Sequence, residues 1–213
     1  MAIKDYILPI NSGAQMWQIL WSNTTRGSHP YNFSGLCATM VAQWLMEIKF
    51  SAGASPEEFG RHLLQADLGT HGYGALAHSQ SIYGGHAPHL NHHTALFDRH
   101  SGGSLTRHDQ DEVRSSDRHW RLIRAAIYGG AGAQIMSGHI GITGNNYWLL
   151  RPVFGNTWGH AIGIHCDAIR TYFFDPNYGV AIIDANDQNT MNNFVDDVWR
   201  EYGVTVGRFA EVT

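Results

Sequence analysis

The sequence predicts an α+β domain, in which helices come first and an antiparallel sheet follows. Apolar residues recur at helical spacing after residue 37, whereas short segments typical of strands dominate after residue 134. The 213 residues suffice for one hydrophobic core, and no linker or internal repeat interrupts them. We therefore expect a single domain over residues 1–213, with N-terminal helices packed on a C-terminal antiparallel sheet.

Composition and charge exclude several classes of function. Charged residues make up 15% of the chain, and the net charge is -4 with histidine neutral, so the basic face of a nucleic-acid-binding protein is not expected. No apolar run reaches the roughly 18 residues of a membrane span. The first residues lack the basic start and apolar stretch of a secretory signal peptide. We expect a protein that is cytoplasmic or exported by another route.

Two helices are predicted after a short helix and a polar loop over residues 11–31. The clearest helix begins near Cys37, with Ser34 as its expected N-cap. Its apolar stripe has the spacing of one helix face and comprises Cys37, Met40, Val41, Trp44, Leu45 and Ile48. A second helix is expected to begin at Ser55-Pro56, where Glu58 would complete a capping box with Ser55.

Helical periodicity is lost in the next segment, which is rich in Gly, His, Ser and Asn. We expect an irregular insertion over about residues 69–108, with a short helix near residues 75–79. A further helix is predicted from Asp109 to Tyr128. Strands are predicted at residues 134–140, 147–153, 160–166, 170–174, 180–184 and 204–212, with a helix near residues 191–202 before the last strand.

Cys37 is a candidate nucleophile because it lies at a predicted helix start. Backbone N–H groups and the helix dipole there favour the thiolate, which is the nucleophilic form of cysteine. Cys37 also belongs to the apolar stripe, so a core residue is the alternative interpretation. We expect the other cysteine, Cys166, to be structural, and two cysteines are too few for a disulfide framework.

His160 and Asp175 form a second candidate group. If strands 160–166 and 170–174 form a hairpin around a four-residue loop at 166–169, the two residues lie directly opposite each other on one face. The carboxylate would accept the imidazole Nδ1–H and leave Nε2 as the general base. The alternatives are a histidine exposed at a strand end and an aspartate that serves only its turn.

An oxyanion formed at Cys37 would need hydrogen-bond donors. We expect the backbone N–H of Cys37 to be one donor and the side-chain amide of Asn32 to be the second. Gln15 and Gln18 are alternatives for the second donor. Asn32 is equally typical of a turn.

Two further features are candidates for binding. Trp158 precedes His160 by two residues and would face the same way on a strand, where it would line a substrate pocket or pack in an aromatic core. A cluster of histidines offers His89 and His93 at the i, i+4 spacing of a metal-ligand pair. A proline within that segment and the lack of an acidic partner argue against metal catalysis, so no metal or cofactor is expected.

Three blocks of sequence carry a family resemblance, in this order along the chain. They are Gly35-Leu-Cys37-Ala at the helix start, Trp158-Gly-His160-Ala-Ile-Gly in a strand, and Phe173-Phe-Asp175-Pro-Asn-Tyr-Gly179 at a turn. The pattern resembles the YopT-type, AvrPphB-like family of papain-fold cysteine protease effectors, and the third block is its most specific part. The resemblance extends over about residues 30–180 and is lost in the insertion, so the family's substrates are not carried over.

The resemblance implies a papain-like fold with Cys37 as nucleophile, His160 as general base, Asp175 as the residue that orients the histidine, and Asn32 in the oxyanion hole. It implies a bacterial effector or toxin that cleaves a protein or peptide of a target cell and needs no cofactor. Such a protein would leave the producing cytoplasm through a specialised secretion system, without a signal peptide. A chaperone or an immunity protein would be a further partner.

Other functions that use the same catalytic residues are alternatives. Papain-like folds include peptidoglycan amidases and endopeptidases, transglutaminases and acyltransferases, which all keep the order Cys, His, acid. A binding domain with a decayed site is a further alternative, and equal, slow thiol labelling of Cys37 and Cys166 would indicate it.

Overall fold

The computed structural model describes residues 37–51, 55–65, 101–105, 107–114, 136–144, 158–167, 169–176, 178–184, 187–202 and 204–212. Helices α1 (Cys37–Phe50) and α2 (Pro56–Gln65) come first. The strands that follow are β1 (Arg107–Arg114), β2 (Met136–Gly144), β3 (Trp158–Cys166), β4 (Arg170–Asp175), β5 (Gly179–Asp184) and β6 (Val204–Val212), and helix α3 (Gln188–Tyr202) precedes β6. The order of helices and strands confirms the predicted α+β class.

Helix α1 is buried along most of its length. The predicted apolar stripe is buried at Met40, Val41, Trp44 and Leu45, and Ile48 packs against the same core. Ala38, Thr39 and Ala42 are buried as well. The first two turns of α1 are therefore buried on more faces than the apolar stripe alone predicted.

Helix α2 begins with the predicted capping box. Ser55 Oγ accepts the Glu58 N–H at 3.2 Å, and Glu58 Oε2 accepts the Ser55 N–H at 3.0 Å. These bonds satisfy backbone donors that the first helical turn leaves without intrahelical partners. The start of α2 is thereby defined at the residue that the sequence indicated.

The described strands form one antiparallel sheet in the order β1-β6-β2-β3-β4-β5. Helix α1 packs on one face, where the Trp44 ring lies 5.4 Å from the Phe174 ring between centroids. Helix α3 packs on the other face, where the rings of Phe194 and Phe173 are 4.7 Å apart. Because successive side chains of a strand point to opposite faces, Phe173 and Phe174 place the two helices on opposite sides of the sheet.

The hairpin of β3 and β4 differs from its prediction by two residues. Cys166 lies opposite Thr171, and the Asp167 N–H donates to the Arg170 carbonyl at 2.9 Å, so the loop has two residues rather than four. Asp167 Oδ1 also accepts the N–H groups of Ile169 and Arg170, each at 2.7 Å. An aspartate that binds the backbone of its own turn in this way favours the tighter loop.

The predicted helix from Asp109 to Tyr128 is wrong at its start, because residues 107–114 form strand β1. This strand pairs with β6, with an irregularity in the register between Asp109 and Glu112. Pairing with a distant strand satisfies the backbone here and outweighs the weak helical preference of a polar segment. The chain from 115 to 128 lies outside the described residues.

Other predictions fall on parts of the chain that the structure does not describe. They are the helix and loop over 11–31, the N-cap Ser34, the insertion as far as residue 100, the short helix near 75–79 and the strand at 147–153. The strand predicted at 134–140 is found at Met136–Gly144. None of the described helices combines the length and the hydrophobicity that crossing a membrane requires.

Candidate active site

Three elements bring the predicted site residues together. Cys37 is the first residue of α1, His160 is the third residue of β3, and Asp175 is the last residue of β4. His160 is hydrogen-bonded to Asp175 on one side and to Cys37 on the other. A helix start and two neighbouring strands thus meet in one chain of hydrogen bonds.

The contact between His160 and Asp175 is short and almost fully enclosed. The His160 Nε2 and Asp175 Oδ1 atoms are 2.8 Å apart, and the two side chains are 3% and 4% exposed. Continuing the hairpin register places Asp175 opposite Ile162, so His160 is a diagonal neighbour rather than the direct partner that was predicted. A shift of two residues keeps a side chain on the same face, which is why the contact forms despite the different register.

The orientation of the imidazole also differs from its prediction. Asp175 contacts Nε2 rather than Nδ1, so Nδ1 is the ring nitrogen left for the Cys37 thiol. With the ring protonated, Nε2–H donates to the carboxylate and Nδ1–H donates to the thiolate. The ring therefore bridges the nucleophile and the acid through its two nitrogens.

Electrostatics in the site favour a thiolate and an imidazolium. Burial by itself would raise the pKa of Cys37, but the hydrogen bond and charge of His160 hold that pKa below its ordinary value. Burial by itself would lower the pKa of His160, but the charge and hydrogen bond of Asp175, together with Cys37, raise it to about 10. A proton shared by the pair is therefore held on the imidazole rather than on the sulfur.

Backbone groups add to this effect at positions that the sequence analysis did not single out. Backbone hydrogen bonds of Ala38 and Ala161 also lower the pKa of Cys37. Ala38 follows Cys37 in the first turn of α1, where backbone N–H groups lack intrahelical partners. The helix start could have indicated this donor, whereas the contribution of Ala161 depends on how β3 approaches the helix.

The two cysteines have different surroundings. Cys37 is partly exposed, whereas Cys166 is buried. Burial raises the pKa of Cys166 to about 11, which the hydrogen bond of Thr171 only partly offsets. A thiol with that pKa remains protonated near neutral pH and is a poor nucleophile.

The remaining predicted site residues are less fully described. Asn32, Gln15 and Gln18 lie outside the described residues, as do the clustered histidines between 86 and 93. Trp158 begins β3, two residues before His160, and its role as a pocket wall stays a prediction. Across the described part of the chain, no three His, Cys, Asp or Glu side chains are grouped as a metal site would require.

Comparisons with known proteins identify the family and the fold of the chain. The model of a peptidase family described as Yersinia/Haemophilus virulence surface antigen matches residues 20–210. The fold is similar to the crystal structure of the Pseudomonas avirulence protein AvrPphB, with a TM-score of 0.59 and 19% identity over 87% of this chain and 95% of that one. This likeness confirms the papain-like fold. No curated protein matches the chain.

Proposed function

Because the chain belongs to the peptidase family described as Yersinia/Haemophilus virulence surface antigen, and so is a cysteine peptidase, we propose that Cys37, His160 and Asp175 are its catalytic triad. The observation that carries this proposal is the chain of hydrogen bonds from the partly exposed Cys37 through the buried His160 to the buried Asp175. A nucleophile, a base and an orienting acid within hydrogen-bond reach of one another are what acyl transfer through a thiol requires.

In the proposed reaction, the Cys37 thiolate attacks the carbonyl carbon of a peptide bond, and a tetrahedral oxyanion forms. The Nδ1 proton of His160 then passes to the leaving amine, the C–N bond breaks, and a thioester remains on Cys37. Neutral His160 next takes a proton from water as the water attacks the thioester. The acid product leaves, and the thiolate and the imidazolium are restored.

Asp175 has an orienting and electrostatic role in this scheme. Its carboxylate accepts the Nε2–H of His160, which fixes the ring so that Nδ1 faces the thiol. Its charge also supports the imidazolium against the cost of burial. We propose the backbone N–H of Cys37 and the side chain of Asn32 as donors to the oxyanion.

The substrate that we propose is a protein of a target cell, which the enzyme reaches as a secreted effector. The family description, which concerns virulence proteins, supports this biological setting. Release of the protein through a specialised bacterial secretion system belongs to the same proposal. A chaperone or an immunity protein would be its partner before delivery.

Cleavage of proteins in a lysate of target cells tests the proposal. The purified protein is incubated with the lysate, and new N-termini are identified by mass spectrometry. We expect products with the wild-type protein and none with Cys37→Ala, because the attacking sulfur is absent. The control Cys166→Ala should keep its activity, since that buried thiol takes no part in the reaction.

Two outcomes would contradict the proposal. Full activity of Cys37→Ala would show that the nucleophile is wrong. Fragments released from purified peptidoglycan, with no cleavage in the lysate, would show that the machinery acts on cell-wall peptides instead.

A further inference from the structure

One fully buried tryptophan touches both strands that carry the other two triad residues. Trp44 follows Cys37 by seven residues, which is about two turns of α1, so the two side chains lie on the same side of the helix. The Trp44 ring packs against Phe174, the residue that directly precedes Asp175 in β4. Its Nε1–H donates to the Pro56 carbonyl at 2.7 Å, which fixes the orientation of the ring.

The same ring lies against β3 at a residue without a side chain. Gly163 follows His160 by three residues and lies directly opposite Phe174 in the hairpin. A methyl group built on Gly163 would be 2.7 Å from Trp44 Cε3 and 2.8 Å from Cζ3. Both distances are far below carbon–carbon contact, so helix and strand approach this closely only because residue 163 is glycine.

From these contacts we propose that Trp44 and Gly163 form a positioning contact that sets the spacing between the Cys37 sulfur and the His160 ring. The proposal rests on the triad assignment given above. Trp44 is a rigid spacer between α1 and the hairpin, and Gly163 defines how closely the spacer approaches β3. In this proposal both residues act through the position of Cys37 relative to His160.

The physical reason is the sensitivity of the thiol to that spacing. The pKa of Cys37 is lowered chiefly by the hydrogen bond and charge of His160, and both weaken as the two groups separate. Packed interiors have little free space, so an added methyl group must push the helix away from the strand. Restoring ordinary contact at 2.7 Å requires a displacement of about 1 Å.

The rate at which iodoacetamide alkylates Cys37 measures this effect without any protein substrate. The rate is followed from pH 5 to pH 9, with Cys37 and Cys166 quantified separately by peptide mass spectrometry. For Gly163→Ala we expect the midpoint of the Cys37 rate profile to move to higher pH by about 1, as for a rise of about 1 in its pKa. An unchanged rate profile in the folded variant would overturn the proposal.

Gly60→Ala is the matched control, since it makes the same chemical change at another close contact. Its methyl group would collide chiefly with Val180 in β5 and would lie 3.2 Å from Phe174, so most of the strain falls between α2 and β5. The change reaches Phe174 in β4, but it adds no atom between Trp44 and Gly163, which is the contact under test. We expect Gly60→Ala to lower the free energy of unfolding while the alkylation rate of Cys37 stays within about twofold. If equally destabilised Gly60→Ala lost the same rate, the effect would be general loosening and the proposal would fail.

Trp44→Leu keeps the test decisive if Gly163→Ala does not fold. Trp44→Leu shortens the spacer and should slow the alkylation of Cys37 at pH 6. Adding Gly163→Ala to this variant should restore part of the rate, because the new methyl group fills the space that the tryptophan ring occupied. Such a gain would be a non-additive coupling between two residues in contact. A double variant that is slower than Trp44→Leu would overturn the proposal.

The alkylation rate of Cys37 in the wild-type protein distinguishes a failure of this proposal from a failure of the triad assignment. If wild-type Cys37 reacts no faster than an ordinary thiol at pH 6, the triad assignment fails. If wild-type Cys37 reacts fast and Gly163→Ala reacts equally fast, the triad stands and the positioning contact fails.

Discussion

His160 is the residue on which the chemistry of the site depends most. Its ring is buried, and a buried imidazole would ordinarily be neutral, yet Asp175 raises its pKa to about 10. The sequence allowed the partners of His160 to be predicted but not the ring nitrogen that each partner contacts. Sequence spacing carries no information on ring orientation, which follows from the hairpin register and from the side on which α1 approaches.

Replacing Asp175 tests the origin of the imidazolium. Asp175→Asn keeps the size of the side chain and an oxygen acceptor but removes the charge. We expect the pKa of His160 to fall by about 1–3, because the loss of an opposite charge favours the neutral ring. The measurement is an NMR titration of the imidazole, with His160 assigned by its absence in His160→Gln.

Asp184→Asn serves as the control for this titration. Asp184 is an exposed carboxylate at the end of β5, so the variant also removes one negative charge from a strand end. We expect the His160 titration to stay where it is in the wild-type protein. An Asp175→Asn titration that matched this control would show that Asp175 does not support the imidazolium.

The ion pair also makes stability depend on pH in a defined way. Because folding raises the pKa of His160, the residue adds to the free energy of unfolding. This contribution is greatest below about pH 6.5 and is lost as the pH rises through about 10. Because folding lowers the pKa of Cys37, this residue also adds to the free energy of unfolding. Its contribution is greatest above about pH 8.5 and is lost as the pH falls through the folded-state pKa of Cys37. The two slopes have opposite signs, so where both act they offset each other, and the contribution of the pair is largest at intermediate pH, below about 8.5.

Urea unfolding of the wild-type protein and of the double variant Cys37→Ser, His160→Gln checks this window. The stability advantage of the wild-type protein should be larger at pH 7.5 than at pH 5 or pH 10. Measurements at fixed ionic strength keep the screening of other charges constant. If the difference in free energy of unfolding between the wild-type protein and the double variant rose or fell steadily across the three pH values, Cys37 and His160 would not form an ion pair.

Among the elements, those with local signals were predicted and those that depend on distant partners were not. The helix at Cys37 and the capping box at Ser55 follow from spacing and from short-range hydrogen bonds. Strand β1 exists because it pairs with β6, which is almost a hundred residues away along the chain. Its polar sequence carries no apolar alternation, so a helix was the natural but wrong prediction.

Helix α3 covers the face of the sheet opposite α1. Phe194 is buried against Phe173, and Met191, Val195 and Val198 are buried along the same helix. We expect Phe194→Ala to lower the free energy of unfolding by about 3–5 kcal/mol, through lost burial and the cavity that remains. Denaturation in urea, monitored by circular dichroism, gives the value.

Asn193→Ala is the control for this packing prediction. Asn193 is exposed and adjacent in sequence, and its substitution should change the free energy of unfolding by no more than about 0.5 kcal/mol. A cost below about 1 kcal/mol for Phe194→Ala would mean that α3 is not packed on the sheet as described.

At the scale of the whole molecule, the site is assembled by non-local packing of parts that were individually predictable. Cys37, His160 and Asp175 were singled out from the sequence, and the family match over residues 20–210 agrees with the cysteine peptidase that they imply. The two-residue register error was harmless because strand faces repeat every two residues. Gly163 carried a signal that was overlooked, since a glycine within a strand often marks a close approach of another element.

The acylation of Cys37 tests the central claim, that this cysteine is a nucleophile activated by His160, most directly. The protein is mixed with p-nitrophenyl acetate at pH 6 and quenched in acid in the initial phase, before the thioester is hydrolysed, and after digestion in acid each cysteine peptide is analysed for an acetyl group by mass spectrometry. The triad predicts acetylation at Cys37 and none at Cys166, with the rate at Cys37 reduced about tenfold or more in His160→Ala. Equal acetylation of the two cysteines, or a Cys37 rate that His160→Ala leaves unchanged, would contradict it.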